Sequence, residues 1–148
     1  MTTYPELLRD FTCFRDLTDE QINKIAQFTD AVCYPPGHIL LKEGEEGKRL
    51  FLLVDGEVEA LFTLVDECQT RVETIADEEI LGCSALVKPY KYSATERCLT
   101  EVQVLEVDVA SLRELMQKDC QIGLKIQQHI IEGLMGRILE LRLILLSN

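Results

Sequence analysis

The stretch Leu81-Gly82-Cys83-Ser84-Ala85-Leu86, followed after six residues by Ser93-Ala94-Thr95, is the most informative part of this chain. A glycine precedes a run of small residues, and segments of β-type composition lie nearby on both sides. A short helix that begins at Gly82 would leave the next three backbone N–H groups unpaired, with the positive end of the helix dipole behind them. The stretch therefore predicts a helix start that can bind an anion.

Seven short segments rich in β-branched and other apolar residues accompany this stretch. They cover residues 31–34, 38–41, 49–54, 57–64, 70–75, 93–97 and 100–107. Turn signals separate them at Pro35-Pro36-Gly37, at 43–47 and at Asp55-Gly56, and the last of these predicts a tight hairpin because glycine adopts positive φ at little cost. Seven short strands without long helices between them predict a sandwich or small barrel and exclude a doubly wound parallel sheet.

Helical periodicity marks both ends of the chain. In Thr18-Asp19-Glu20-Gln21 a hydroxyl and a glutamine three residues apart can cap each other's backbone donors, which predicts a lead-in helix. After Val107 the apolar period returns to 3.6, and Asp108 and Asp119 are the expected N-caps of a short and a long helix. At 148 residues and 47% apolar, the chain can close one core. We expect one domain over 1–148, with a helical lead-in at 1–30, strands at 31–107 and C-terminal helices at 108–148.

The predicted long helix carries more apolar surface than the strands can cover. One flank consists of Ile122, Ile126, Ile130, Leu134, Ile138, Leu141 and Leu145, and a second of Leu124, Ile131, Met135, Leu139 and Leu146. We expect one flank to pack on the strands and the other to meet a second copy, so the sequence predicts a homodimer through helix 120–146. Gly133 and Gly136 each lower helix stability by roughly 1 kcal/mol relative to alanine, which leaves close approach of a partner or tolerated drift as explanations.

Charge and cysteine usage limit the classes of function. The net charge of −11 and the lack of a Lys/Arg cluster predict no nucleic-acid binding. The start lacks a secretory signal, and Glu132, Arg137, Glu140 and Arg142 interrupt the apolar stretch 130–146, so we expect a cytoplasmic protein without a membrane span. Six cysteines at irregular spacing, with no C-x-x-C pair, predict reduced and mostly buried thiols and no metal site.

The order of lead-in helix, glycine-punctuated strands, small-residue stretch, returning strands, short helix and long helix resembles the cyclic nucleotide-binding domain across essentially the whole chain. The segments 34–40 and 43–48 are similar to the first turns of that family, and 50–58 is similar to its central hairpin. The resemblance implies a mainly β fold with flanking helices, namely a β-roll or jelly-roll-like barrel with an N-terminal helix and a long C-terminal helix. It also implies a ligand pocket between residues 81–95 and the long helix.

Residues 81–95 correspond by this resemblance to the family's phosphate-binding cassette, and we call them the cassette. In the family pattern an acidic residue holds the ribose hydroxyl and an arginine neutralises the phosphate, but here those positions are Cys83 and Tyr92. A thiol accepts hydrogen bonds weakly, and a tyrosine offers one neutral donor and an aromatic face, so we expect weak or absent binding of cyclic AMP and cyclic GMP. A helix N-terminus also favours the thiolate of Cys83, which leaves a redox role open beside a simple fit of size. The residues that the resemblance implies for ligand contact are Gly82, Cys83, Ser84, Ala85, Tyr92, Ser93, Ala94 and Arg137.

Another cation could replace the missing arginine. Arg137 is the best candidate, because the resemblance places it near the point from which the long helix caps the ligand, whereas Arg71 and Arg97 lie on strands of unknown orientation. The alternative is that Arg137 pairs with Glu132, Glu140 or a partner subunit.

Three classes of function remain. The first is a regulatory sensor that binds a cyclic nucleotide, or another small anionic or apolar ligand, and passes a shift of the long helix to a separate effector protein. The second is a degenerate domain that serves dimerisation or docking and whose pocket is filled by its own side chains, Tyr92 among them. The third is an enzyme, and we expect none and no cofactor, because no nucleophile–base pair, metal constellation or paired acid is visible. In catabolite activator-like regulators a DNA-reading segment follows the long helix, and we expect this protein to act without one.

Overall fold

The computed structural model describes the backbone of residues 4–63, 68–76 and 80–147, and the side chains of these residues except 69 and 71–76. The helices in these ranges are α1 (Tyr4–Arg9), α2 (Thr12–Arg15), α3 (Asp19–Ala26), α4 (Val109–Lys118) and α5 (Cys120–Leu146). The strands are β1 (Thr29–Tyr34), β2 (Ile39–Leu41), β3 (Arg49–Asp55), β4 (Glu57–Thr63), β5 (Gln69–Ala76), β6 (Ile80–Leu81), β7 (Thr95–Cys98) and β8 (Val102–Asp108). A single 3-10 turn, Cys83–Leu86, follows β6.

The strands form two antiparallel sheets of four, in the orders β1-β8-β3-β6 and β2-β7-β4-β5. Leu52 and Val104 of the first sheet and Val58 and Cys98 of the second belong to one buried apolar cluster, so the two sheets share one core. The prediction of a mainly β fold with helices at both ends is confirmed. Within the described strands the ladders form two separate sheets and do not close into a barrel.

The seven predicted strands match seven observed ones to within two residues at each described end. Residue 64, the predicted end of the fourth strand, lies outside the described residues. The sequence did not indicate β6, because a strand of two residues is too short to show an alternating pattern.

The prediction of a hairpin at Asp55-Gly56 is wrong. β3 and β4 lie in different sheets, so the chain turns a corner there and crosses from one sheet to the other. Gly56 has a φ of 104°, and a Cβ at this position would lie 2.5 Å from the carbonyl oxygen of Glu101. A glycine with positive φ is required equally by a hairpin and by this corner, so the local signal could not distinguish them.

All three predicted helix caps are present. The Thr18 and Gln21 side chains form the reciprocal capping box. Asp108 accepts a hydrogen bond from the Ser111 N–H at 2.9 Å, and Asp119 accepts from two N–H groups at the start of α5. The lead-in contains two further short helices, α1 and α2, that the sequence did not indicate.

The long helix α5 packs on the rest of the chain only near its start. Ile122 and Ile126 are fully buried, and the helix lies against α2 and α4. Asp16, which follows α2, holds this part in place: its Oδ2 lies 2.7 Å from His129 Nε2, and its carbonyl oxygen accepts a hydrogen bond from Lys125 Nζ at 3.0 Å. We call these first eleven residues, 120–130, the root of α5.

The remaining residues of α5, 131–146, form what we call the distal helix. Ten of these sixteen residues are Ile, Leu or Met, and all ten are exposed. They are Ile131, Leu134, Met135, Ile138, Leu139, Leu141, Leu143, Ile144, Leu145 and Leu146. The expectation that one apolar flank packs on the strands is therefore wrong for most of the helix. Ile122 and Ile126 of that flank are buried, but its members in the distal helix are exposed, and the root lies against α2 and α4. Along the described ranges, no helix is both long enough and apolar enough to cross a membrane.

The burial of the cysteines also differs from the prediction. Cys13 and Cys98 are buried, Cys83 is partly buried, and Cys33, Cys68 and Cys120 are exposed. Burial raises the pKa of the Cys13 and Cys98 thiols above the ordinary value. The expectation of mostly buried thiols is therefore wrong.

Candidate functional site

The cassette begins at the end of β6, the strand that pairs with one edge of β3. β6 pairs only with Phe51 and Leu52 of β3, and the chain then passes through Gly82, with a φ of 88°, into the 3-10 turn. Ala85 in this turn is fully buried. The turn is thus fixed to the core beside the unpaired part of β3.

Hydrogen bonds within the chain use some of the donors that were expected to face an anion. The Ala85 N–H donates to the Gly82 carbonyl oxygen at 3.0 Å, so the expectation of three unpaired N–H groups is wrong at Ala85. The Ser93 N–H donates to Ser84 Oγ at 3.2 Å. Because peptide dipoles add along a helix, a turn of four residues also has a smaller dipole than the predicted helix.

Tyr92 fills the space between this turn and β3. Its side chain is part of the core, and the residue is only 7% exposed. The hydroxyl donates to the Arg49 carbonyl oxygen at 2.6 Å and accepts from the Arg49 N–H at 3.0 Å. The ring lies against Gly82, where a Cβ would be 3.0 Å from Tyr92 Cε1. Tyr92 therefore provides hydrogen-bond partners for the backbone of Arg49, in the part of β3 that β6 does not reach.

The electrostatic state of Tyr92 follows from its burial. Burial raises the pKa of its hydroxyl above the ordinary value, against smaller opposing contributions from the backbone of Arg49 and Lys48. The hydroxyl is therefore protonated at neutral pH and can donate to Arg49. It supplies no positive charge to the cassette.

A loop and a helix hold the other end of the cassette. The Gly47 N–H donates to the Tyr90 carbonyl oxygen at 2.7 Å, and a Cβ at Gly47 would overlap the Cβ of Ala85. The Arg113 guanidinium of α4 lies 4.1 Å from the centre of the Tyr90 ring, a cation–π contact. Sequence reasoning missed Arg113, because no motif links a residue of the short helix to a loop more than twenty positions earlier.

The other predicted site residues lie in three places. Ser93 is exposed and Ala94 partly buried in the loop before β7. Arg137 lies in the distal helix, where its Nη1 donates to Glu140 Oε2 at 3.0 Å. This ion pair is the alternative that the sequence left open, and a contact between Arg137 and a ligand stays a prediction. Arg97 pairs with Glu59 across β7 and β4, and the side chain of Arg71 lies outside the described residues.

A polar network on the first sheet supports Arg49, the backbone partner of Tyr92. Arg49 Nε lies 3.6 Å from Glu106 Oε2, and the largely buried Glu106 accepts a hydrogen bond from the Tyr34 hydroxyl. The Tyr34 ring stacks on His38 with 4.2 Å between ring centres. Burial and the bond to Glu106 raise the pKa of Tyr34 to about 12, so this donor also stays protonated at neutral pH. No sequence pattern indicated this network, because Tyr34, Arg49 and Glu106 are far apart along the chain.

Two surface cavities of the described chain lie away from the cassette. One of about 290 Å³ lies between α1 and α3. The other, of about 440 Å³, lies between α4 and α5 and is lined by Met116, Cys120, Gly123 and Leu124, among others. Neither is lined by a cassette residue.

Two four-stranded sheets, a glycine-led turn beside an unpaired strand edge and a long final helix define a β-roll fold with flanking helices. Residues 31–119 match the family model described as the cyclic nucleotide-binding domain. The chain belongs to this family, and the resemblance inferred from the sequence is confirmed.

Relatives and solved structures agree with this assignment. The chain is 30% identical to a potassium channel protein of Rhodopseudomonas palustris over 88% of its own length, and 28% identical to the cAMP-dependent protein kinase regulatory subunit of Pyricularia oryzae over 76%. It spans only 31% and 28% of the length of these two relatives. A crystal structure from Geobacter metallireducens, named as a cyclic nucleotide-binding protein, superposes with a TM-score of 0.82 at 29% identity and covers 93% of this chain and 99% of that one.

Proposed function

We propose that this chain is a non-catalytic regulatory module of the cyclic nucleotide-binding type in which cyclic AMP and cyclic GMP bind weakly or not at all. The observation that supports this proposal is Tyr92, a neutral and buried side chain at the position that the family resemblance gives to the phosphate-binding arginine. At this position the chain has a hydroxyl that bonds to the backbone of Arg49, where the family pattern has a guanidinium that binds the phosphate.

The size of the effect follows from the missing charge. A hydrogen bond to a charged group contributes about 1.5–3 kcal/mol, so its loss weakens binding by roughly ten- to a few-hundred-fold. Cys83 adds to this loss, because a thiol replaces the carboxylate that would accept the ribose hydroxyl. The net charge of −11 further disfavours an anionic ligand.

Calorimetric titration with cyclic AMP at moderate salt tests this proposal. We expect no measurable heat for the parent at low micromolar concentration and a gain in affinity for the double variant Cys83→Glu with Tyr92→Arg. The matched control is Cys83→Gln with Tyr92→Met, which changes the same side chains without adding charge and should gain nothing. Low-micromolar binding by the parent would contradict the proposal, and an equal gain in both double variants would show that charge is not the cause.

We further propose that the distal helix makes the chain a homodimer, because its exposed apolar side chains have no intrachain partner among the described residues. Ile131, Leu134, Ile138, Leu141 and Leu145 follow each other at spacings of three and four, and we call them the seam. Isoleucine at the first and leucine at the fourth position of a heptad favour a parallel two-stranded coil.

Two symmetry-related charge pairs oppose this arrangement. In a parallel coil Arg137 would face Arg142 of the second copy, which costs a few tenths of a kcal/mol. The intrahelical pair of Arg137 with Glu140, at 3.0 Å, offsets part of this cost. Burial of each seam residue contributes about 1.5–3 kcal/mol, so the apolar contribution to dimer stability exceeds the cost of the charge repulsion.

Light scattering at tens of micromolar tests the dimer. We expect a dimer for the parent and a monomer for Ile138→Glu. The control Gly133→Glu adds the same charge at a position off the seam where a Cβ meets nothing within 4 Å, and it should remain a dimer. A monomeric parent would disprove this part of the proposal without affecting the titration.

The output of such a module would be a shift of α5 read by a separate effector protein. This chain spans only 31% of the length of the potassium channel protein named above and 28% of the kinase regulatory subunit, which leaves the larger part of each relative unmatched. With −11 net charge, we propose a protein effector and not a nucleic acid, and a cytoplasmic location.

A further inference from the structure

The site that Tyr92 occupies is built from backbone groups that select a hydroxyl. The Arg49 N–H needs an acceptor and the Arg49 carbonyl oxygen needs a donor, and the Tyr92 hydroxyl serves both at 3.0 and 2.6 Å. An ionised carboxylate or phosphate can only accept and an ammonium can only donate, so each would leave one of the two groups unsatisfied. The polar end of this site therefore fits a neutral hydroxyl.

The other end of the site is shaped for a flat ring. Gly82 leaves room for the ring edge, since a Cβ there would come within 3.0 Å of Cε1. The same Cβ position lies 3.4 Å from Leu41 Cδ2, which places a buried apolar side chain beside the ring. A hydroxyl at one end and an apolar slot at the other describe a phenol.

The backbone of Tyr92 is held independently of its ring. The Tyr92 N–H donates to the Glu45 carbonyl oxygen at 3.0 Å, and the Gly44 N–H donates to the Tyr92 carbonyl oxygen at 2.9 Å. These two bonds fix the loop to the 44–45 turn whether or not the ring is present. Removal of the ring should therefore leave the slot in place.

We infer that the cassette of this chain is a binding site for a neutral phenol and that Tyr92 is its permanently attached ligand. The inference rests on the proposed loss of cyclic nucleotide binding and gives that loss a second cause. An attached ligand acts at an effective concentration of about millimolar or more, so a free ligand must compete with it as well as bind.

Chemical rescue tests this inference. In Tyr92→Ala, p-cresol should raise the melting temperature in a saturable way, because an apolar cavity of this kind binds small aromatic molecules. Toluene, which has the same ring and methyl group but no hydroxyl, should bind about tenfold more weakly, the equivalent of one lost hydrogen bond. The parent and Tyr92→Phe retain the ring and should show no saturable shift. If Tyr92→Ala is unfolded, its refolding by p-cresol is the readout.

Each outcome bears on the inference. No saturable effect of p-cresol on Tyr92→Ala, an equal effect of toluene, or an equal effect on the parent would each overturn it. Cyclic AMP binding by the parent would overturn the proposed function, so the two failures are distinguishable. Rescue by p-cresol alone supports a phenol site.

Discussion

The cassette and the distal helix differ in how much their large side chains are buried within the chain. In the cassette, Tyr92 uses its ring in the core and its hydroxyl on Arg49, and it is only 7% exposed. In the distal helix, Leu139 is 56% exposed and Leu145 is 74% exposed. The cassette, where the family resemblance implies a ligand site, therefore has its side chains packed and bonded within the chain. The distal helix exposes apolar side chains that a partner could cover.

The largest difference between the two regions is expected from truncation of a side chain. Tyr92→Ala should lower the free energy of unfolding by about 3–5 kcal/mol, because it removes a buried aromatic ring together with two hydrogen bonds. Leu139→Ala, an equivalent truncation off the seam of the distal helix, should change it by less than about 0.5 kcal/mol. Urea unfolding monitored by circular dichroism measures both. Equal losses of unfolding free energy in the two variants would contradict the contrast between a packed cassette and an unpartnered distal helix.

Replacement of two glycines by alanine should change stability by an intermediate amount, with opposite signs in the two regions. Gly47→Ala should destabilise by about 1–3 kcal/mol, because its Cβ would lie 2.8 Å from the Ala85 Cα and force the cassette to move. Gly136→Ala should stabilise by about 0.4–1 kcal/mol, because it meets nothing within 4 Å and favours the helix. Thermal melts of the two variants beside the parent test this pair, and a stabilised Gly47→Ala would show that the loop and cassette are not in contact.

The smallest effect is the dependence of stability on alkaline pH. Burial raises the pKa of Tyr92 in the folded chain above its value of about 10 in the unfolded chain. The folded state keeps the proton over a pH range in which the unfolded state has lost it. The contribution of this proton to the free energy of unfolding is therefore complete below pH about 10. It falls as the pH rises through the raised pKa, by about 1.4 kcal/mol for each pH unit that separates the two pKa values.

Tyr92→Phe provides the reference for this pH dependence. Because phenylalanine has no titrating group, the difference in stability between parent and variant should shrink between about pH 10 and the raised pKa, as followed by urea midpoints. A difference that stays constant with pH would contradict the assignment of the raised pKa to Tyr92.

Much of the fold could be predicted because its signals are local. The capping residues Thr18, Asp108 and Asp119 act on backbone groups two or three residues away, and all three caps were found. The corner at Gly56 was misread for the converse reason. Its conformation is a local property, but whether β3 and β4 pair depends on which strands lie beside them, and the topology places them in different sheets.

The sequence indicated the glycine-led turn of the cassette but not how its side chains are used, and ligand contact by the predicted site residues stays a prediction. The joint order of the turns, strands and helices, with the glycine and small residues of the cassette among them, carried the family resemblance. The residues at Cys83 and Tyr92, which differ from the family pattern, could be read from the sequence. The use of Tyr92 was not, because its partner is the backbone of Arg49, and a backbone group has no sequence signature. The same holds for Arg113 on Tyr90, where two ordinary surface residue types meet through the fold.

The anchoring of α5 by Asp16 has a mechanical consequence. His129 and Lys125 both bond to Asp16, so the root would stay in place while residues 131–146 tilt about it as a rigid arm. At 1.5 Å per residue the arm is about 24 Å long, so a tilt of roughly 10° at the root moves its tip by about 4 Å. A tilt too small to disturb the packing around Ile122 and Ile126 would thus move the far end by several ångströms, and α2 and α4, against which the root lies, would fix its angle.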